Sequence, residues 1–144
     1  MFKRLNGTLG MSLVEIMIVL VIMGTIMALV GRNVMGRLEQ SKVQTTKLQM
    51  EGFKSALQDY YLDNNVYPTT DQGLQALVQK PTTGTEPTNY NPDGYIKGKV
   101  IPKDAWGKDF IYESDGAKYT IKSFGKDRVE GGEGNGADIS VESE

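Results

Sequence analysis

Two groups of residues in this chain have types and spacing that could do chemistry. The first is a single carboxylate, Glu15, set near the start of the apolar run that extends from Met11 to Val30. About 20 apolar residues suffice to cross the hydrocarbon core of a membrane as a helix, and an ionisable group inside such a span is costly enough to imply a role. Glu15 calls for a cation. Cleavage between Gly10 and Met11 would create one, the α-amino group of Met11, four residues away at the head of the same helix. A second copy shifted along the helix axis would bring its own amine to this Glu15, so the spacing carries a rule for self-assembly. The second group is Gly125 to Asp138, where Asp127, Glu133, Asn135 and Asp138 stand among glycines that let a backbone fold tightly. Calcium takes about six to eight oxygens from carboxylates, amides and main-chain carbonyls, and these side chains supply the first two kinds. The order of residues is not that of an EF-hand, and Gly136 stands where the Gly-Gly-x-Gly-x-Asp repeat needs aspartate. A solvated acidic loop has the same composition, so composition leaves both readings open.

Other chemistry is excluded by what the chain lacks. Of its 144 residues none is histidine and none is cysteine, which removes the commonest general base and transition-metal ligand together with disulfides and thiolates. No pair of carboxylates is singled out by spacing for acid–base work, and an enzyme is not expected. A net charge of -2 with mixed signs offers no basic stripe, so no nucleic-acid partner is expected. Mean hydropathy is -0.35 despite the apolar span, so the remainder is strongly polar. It can support one small core, built on aromatic residues: Tyr60, Tyr61, Tyr67, Tyr90, Tyr95, Trp106, Phe110, Tyr112, Tyr119 and Phe124.

These groups must be positioned by few elements. Val34, Leu38, Val43, Leu48, Phe53, Ala56, Leu57, Tyr60 and Tyr61 recur at mostly helical spacing without an intervening proline, predicting one helix from Met11 to about Leu62. At 1.5 Å per residue that is roughly 75 Å, the first half apolar all round and the second amphipathic. Outside lipid, the first half would expose more apolar surface than a monomer tolerates, so its homes are a membrane or a fibre core. Gly31 is a weak point where the helix could loosen, and Arg32 can snorkel to a membrane surface. The polar run Asp63 to Asn65, followed by Tyr67-Pro68, ends the helix. A short amphipathic turn is expected over Asp71 to Val78 and a loop from Lys80 to Gly98. Asp109 to Tyr112 and Tyr119 to Ser123 flank Ser114-Asp115-Gly116 and read as a β-hairpin, with a third short strand expected near Gly94 to Val100. The fold class is α+β, a long helix packed on a small antiparallel sheet.

Lys3 and Arg4, Gly10, then Met11-Ser12-Leu13-Val14-Glu15 and the apolar run resemble the class III signal of type IV pilins and type II secretion pseudopilins. An ordinary secretory signal has a shorter apolar core with small residues after it; here Gly10 precedes a long one. An uncleaved anchor would have no reason to keep Glu15. The resemblance implies cleavage after Gly10 by prepilin peptidase, methylation of Met11, which stands where the family usually has phenylalanine, and polymerisation through the helix. Asn64 to Leu77, Lys103 to Gly107 and Gly131 to Ile139 are similar, in order, to the major pseudopilins of type II secretion, the general secretion protein G family. Arg32 and Ala105 stand where that family commonly has proline.

The resemblance implies a type IV pilin-like fold with a C-terminal calcium loop. It divides the chain into a leader peptide (1–10), a transmembrane and assembly helix (11–34) and a periplasmic globular domain (35–144). It implies Ca²⁺ on Asp127, Asp138 and main-chain oxygens near Phe124 and Val129, with Glu133 and Asn135 between them. It further implies a structural subunit of a periplasmic pseudopilus, held by one span in the inner membrane before assembly. Its expected partners are copies of itself, minor pseudopilins, prepilin peptidase, the inner-membrane secretion platform with its ATPase, and the outer-membrane secretin. The alternatives are a cysteine-free type IV pilin for adhesion or DNA uptake, and a membrane-anchored calcium module binding sugars through Trp106.

Overall fold

A computed structural model describes residues 11–143. One long helix, α1 (Leu13–Asn64), is followed by a 3₁₀ turn (Leu74–Leu77) and by strands β1 (Ile111–Ser114), β2 (Tyr119–Ser123) and β3 (Ile139–Glu142). The chain divides into two compact units, Met1–Leu38 and Glu39–Glu144, and α1 contributes to both.

In the first unit the helix from Ile16 to Val30 carries no charged residue and is apolar on every face apart from Thr25. An 18-residue window of α1 reaches a mean hydropathy of 2.7 with none of it buried, and by length and composition this helix can cross a membrane. The large apolar side chains from Met11 to Leu38 are exposed. Thr25 turns its hydroxyl back onto the carbonyls of Val21 and Ile22, at 3.0 and 2.8 Å. Its polar group is thereby satisfied within the helix, as an apolar medium requires. Helical backbone runs through Gly31.

The second unit is built on one face of α1. Met50, Phe53, Ala56, Leu57 and Tyr60 are buried at helical spacing and share a core with Leu74, Leu77, Phe110, Tyr112, Tyr119, Ile121 and Ile139. Phe53 meets Phe110 edge to face with centroids 5.0 Å apart, a favoured geometry for aromatic pairs. The helix ends because Asn65 adopts φ 58° while its N–H bonds to the Tyr61 carbonyl, a left-handed cap that asparagine tolerates. The segment after it lies along the hairpin: Thr70 and Ser114 exchange backbone and hydroxyl bonds, and the Tyr112 hydroxyl donates to the Pro68 carbonyl at 2.8 Å.

The sheet is antiparallel in the order β1-β2-β3. Tyr112 faces Ile121 and Ile121 faces Val141 across the ladders. Along β2, Tyr119, Ile121 and Ser123 are buried and the residues between them are half-buried, the period of two expected of a strand with one face on a core. The expected hairpin is present. Its turn is held by Asp115, whose Oδ1 accepts the N–H groups of Ala117 and Lys118, with Gly116 at φ 89°.

The expected third strand at Gly94 to Val100 is corrected: that segment is turns and bends. Gly94, Gly98 and Lys99 have φ values of 75°, 87° and 53°, a left-handed backbone that no extended strand adopts. The third strand is β3, whose four residues follow the Gly-rich loop. Among the aromatic residues expected in the core, Tyr61 is exposed, Tyr67, Tyr90, Tyr95 and Trp106 are half-buried and packed against it, and Phe124 is half-buried.

Candidate metal loop and assembly carboxylate

The Gly-rich loop is the connection between β2 and β3, closed at its base by the register pair Ser123 and Ile139. Two carboxylates organise its interior. Asp127 Oδ1 accepts the Val129 N–H at 3.2 Å, a local turn of the kind short acidic side chains make, and Arg128 between them takes φ 62°. Asp138 Oδ2 accepts the Gly131 N–H at 2.9 Å, while the Asp138 N–H returns to the Gly131 carbonyl at 3.1 Å. Both carboxylates therefore reach the Gly131-Gly132 stretch.

Glycine is required at Gly132. With φ at 83°, a Cβ there would overlap the Gly136 carbonyl oxygen and stand 2.7 Å from Asp127 Oδ2; a Cβ on Gly136 would stand 2.9 Å from the same oxygen. The Asp127 carboxylate and the Gly136 carbonyl thus converge on a space that any side chain would fill. Asp138 Oδ1 is buried and accepts no hydrogen bond. An ionised oxygen left so is costly, and a bound cation is one arrangement that satisfies it. The donor set fits a hard ion that takes oxygens. Among the described residues no three carboxylates form a metal cluster, so main-chain oxygens must complete any shell.

The remaining expected ligands are less engaged. Val129 is 64% exposed, and Phe124 is half-buried at the loop entrance. Glu133 is exposed, and its carbonyl accepts the Gly136 N–H at the 3₁₀ turn Gly134–Gly136. The side chain of Asn135 lies outside the described residues.

Sequence reasoning missed what holds the loop in place. Asp104 is 5% exposed. Its Oδ1 accepts the N–H groups of Trp106 and Lys108 at 3.0 and 2.8 Å, and its Oδ2 accepts the Ser123 hydroxyl at 2.6 Å. The Ser123 oxygen in turn accepts the Gly125 N–H. This chain of bonds ties the Lys103 to Gly107 turn to the first residue of the loop. The turn also docks on α1, where Thr46 accepts the Ala105 N–H and Gln49 donates to the Lys103 carbonyl. Only the cap of the turn was legible, in Asp104-Ala105-Trp106-Gly107, because an aspartate two residues before a turn N–H commonly caps it. Trp106 packs against the core and donates its indole N–H to Glu39 Oε2 at 3.3 Å. That bond, with Lys126 and Lys42 nearby, holds the Glu39 carboxyl below its ordinary range against some loss of hydration.

In the other unit, Glu15 lies in the first turn of α1. No ion pair to it is found among the described residues, and its neighbours Leu13, Val14, Ile16 and Met17 are exposed. Met11 is 67% exposed. Gly10 lies outside the described residues.

Comparison with known proteins places these features in company. Residues 33–142 match the sequence model of the family described as type II secretion system (T2SS), protein G. The chain is 48% identical over 139 residues to the type II secretion system core protein G of Vibrio cholerae, covering 95% of this chain and 93% of that one. It is 46% identical over 132 residues to the protein of the same description in Pseudomonas aeruginosa, covering 90% and 92%. Among solved structures, the major pseudopilin from the type 2 secretion system of enterohaemorrhagic Escherichia coli is similar at a TM-score of 0.64 and 42% identity. The likeness covers 74% of this chain and 87% of that one.

Proposed function

This chain belongs to the type II secretion system protein G family and is a pseudopilin, and on that footing we propose that it is the major subunit of a periplasmic pseudopilus. The observation that carries the reading is a helix apolar on all sides at its start, with one carboxylate, Glu15, in its first turn and no ion pair to it among the described residues. That surface needs lipid or copies of itself, and a charge within it needs a cation. Cleavage after Gly10 leaves residues 11–34 as the span and assembly helix and residues 35–144 as the periplasmic domain. The freed and methylated amine of Met11 supplies the cation for Glu15 of a neighbouring copy. One inner-membrane span holds the subunit until it joins the fibre. Growth of the fibre at its base, driven by the platform's ATPase, then pushes folded proteins toward the secretin. The role is structural, with minor pseudopilins and prepilin peptidase as further partners.

Calcium belongs to this proposal. Asp127 and Asp138 would hold it, with main-chain oxygens near Phe124 and Val129 and with Glu133 and Asn135 available between them. Its chemistry there is cross-linking: a divalent ion bound by the folded state alone stabilises that state by about 2.7 kcal/mol at a hundredfold excess over its dissociation constant. In a chain without cysteine this replaces a covalent clasp.

The test is to recover the protein from membranes of a host with prepilin peptidase, and to measure its intact mass and fibre formation beside Glu15→Ala. The expected product starts at methylated Met11, and the variant inserts in the membrane but forms few fibres. An uncut chain, or normal fibres from the variant, would overturn the assembly mechanism. Loss of surface pili with secretion intact, on deletion of the gene, would point to an adhesion pilus instead.

A further inference from the structure

Three segments of the second unit meet on one carboxylate outside the metal loop. Glu39 Oε2 accepts the Trp106 indole N–H at 3.3 Å, and Glu39 Oε1 lies 3.6 Å from Lys126 Nζ and 3.9 Å from Lys42 Nζ. The Glu39 side chain is only 14% exposed, whereas that of Lys126 is 56% exposed. Lys126 immediately precedes Asp127, whose carboxylate faces Gly132 and Gly136. An ammonium at that place works against a cation site in two ways. It is a compact charge on a flexible stem, able to swing onto the neighbouring carboxylate and compete for it. Left unpaired, it also repels a divalent ion directly.

We propose that Glu39 is a positioning residue for the metal loop: by pairing with Lys126 it keeps that ammonium off Asp127 and leaves the Asp127 carboxylate to a divalent cation. The proposal rests on the calcium reading given above. Glu39 sits on α1 and Lys126 in the loop, so the ion pair also links occupancy of the loop to the helix. Trp106 shares the same carboxylate and is the single tryptophan of the chain, so its emission reports the state of the link.

The experiment is a Ca²⁺ titration of the full chain in detergent micelles, followed by calorimetry and by Trp106 emission. Glu39→Gln keeps an oxygen for the indole N–H and removes the charge; it is expected to weaken Ca²⁺ binding about two- to fivefold, the range of a single partly exposed ion pair. Adding Lys126→Met to Glu39→Gln is expected to restore binding to at least the wild-type level, because no ammonium is left to restrain. If the double variant binds as weakly as Glu39→Gln, then Glu39 acts only through packing and the proposal is overturned. Unchanged affinity in Glu39→Gln overturns it equally. A wild-type chain that gives no saturable calcium response removes the calcium reading itself, and this inference with it. That outcome differs from a wild type that binds and a variant that binds equally well.

Discussion

Asp104 shows how one side chain can hold a turn, a strand end and a loop at once. It accepts two backbone N–H groups and the buried Ser123 hydroxyl, and bonds to an ionised acceptor are stronger than neutral ones. Asp104→Ala would leave those donors unmatched in a place with little water. It is expected to cost about 2–4 kcal/mol, read as a lowered midpoint in near-ultraviolet circular dichroism melts. Three other residues set the pH response. Burial, with Tyr95 and Tyr90 beside it, pushes the Tyr60 hydroxyl up from 10.0 to about 12, and burial raises Tyr112 as well. A tyrosine whose folded value is raised contributes stability that is whole below pH 10 and is lost as pH rises toward 12. Glu39 has the opposite sense. Its folded value is lowered, first by the Trp106 N–H, so its contribution is whole above the ordinary carboxylate range and fades as pH falls through the lowered value. A melt series is expected to show a mid-pH plateau with an alkaline decline beginning near pH 10; a flat response from pH 10 to 12 would contradict the buried state of Tyr60.

At the scale of elements, α1 does two jobs with one backbone, and its residues differ accordingly. Its apolar start has no core of its own, whereas from Val43 onward one face supplies Met50, Phe53, Leu57 and Tyr60 to the core. Gly52 lies on the exposed side of that second stretch, and a Cβ there would meet no atom within 4 Å. Glycine inside a helix costs roughly 0.5–1 kcal/mol relative to alanine. Gly52→Ala is therefore expected to raise the melting midpoint of the isolated subunit, and a lowered midpoint would mean that the helix is not regular there. If the same substitution also weakens fibres, Gly52 is serving close approach of another copy. In the sheet, the hairpin was legible from Asp115-Gly116 between β-forming runs. Strand β3 was not, because four residues after a glycine-rich loop carry too short a pattern. Its identity comes from pairing with β2.

For the whole molecule, the balance between polar loops and a small aromatic core makes the Gly-rich loop between β2 and β3 a test of stability. Melting of the full chain in micelles is expected to shift down in chelator, to recover with Ca²⁺ and to recover poorly with Mg²⁺, which resists giving up its water. Three identical curves would remove calcium from the account. The sequence alone determined that a long apolar helix carries Glu15, that its continuation is amphipathic, that a hairpin follows and that Asp127 and Asp138 share a loop. These rest on local period, turn chemistry and composition, all of which are properties of neighbours along the chain. Tertiary structure decided which aromatic residues are buried, that Ile139–Glu142 rather than Gly94 to Val100 completes the sheet, and that Asp104 meets Ser123 and Glu39 meets Lys126 where the loop begins. Each of those depends on residues far apart in sequence, such as Asp104 with Ser123 or Glu39 with Trp106 and Lys126. No local pattern encodes such a meeting, because it exists only once the helix, turn and strand have packed around one core.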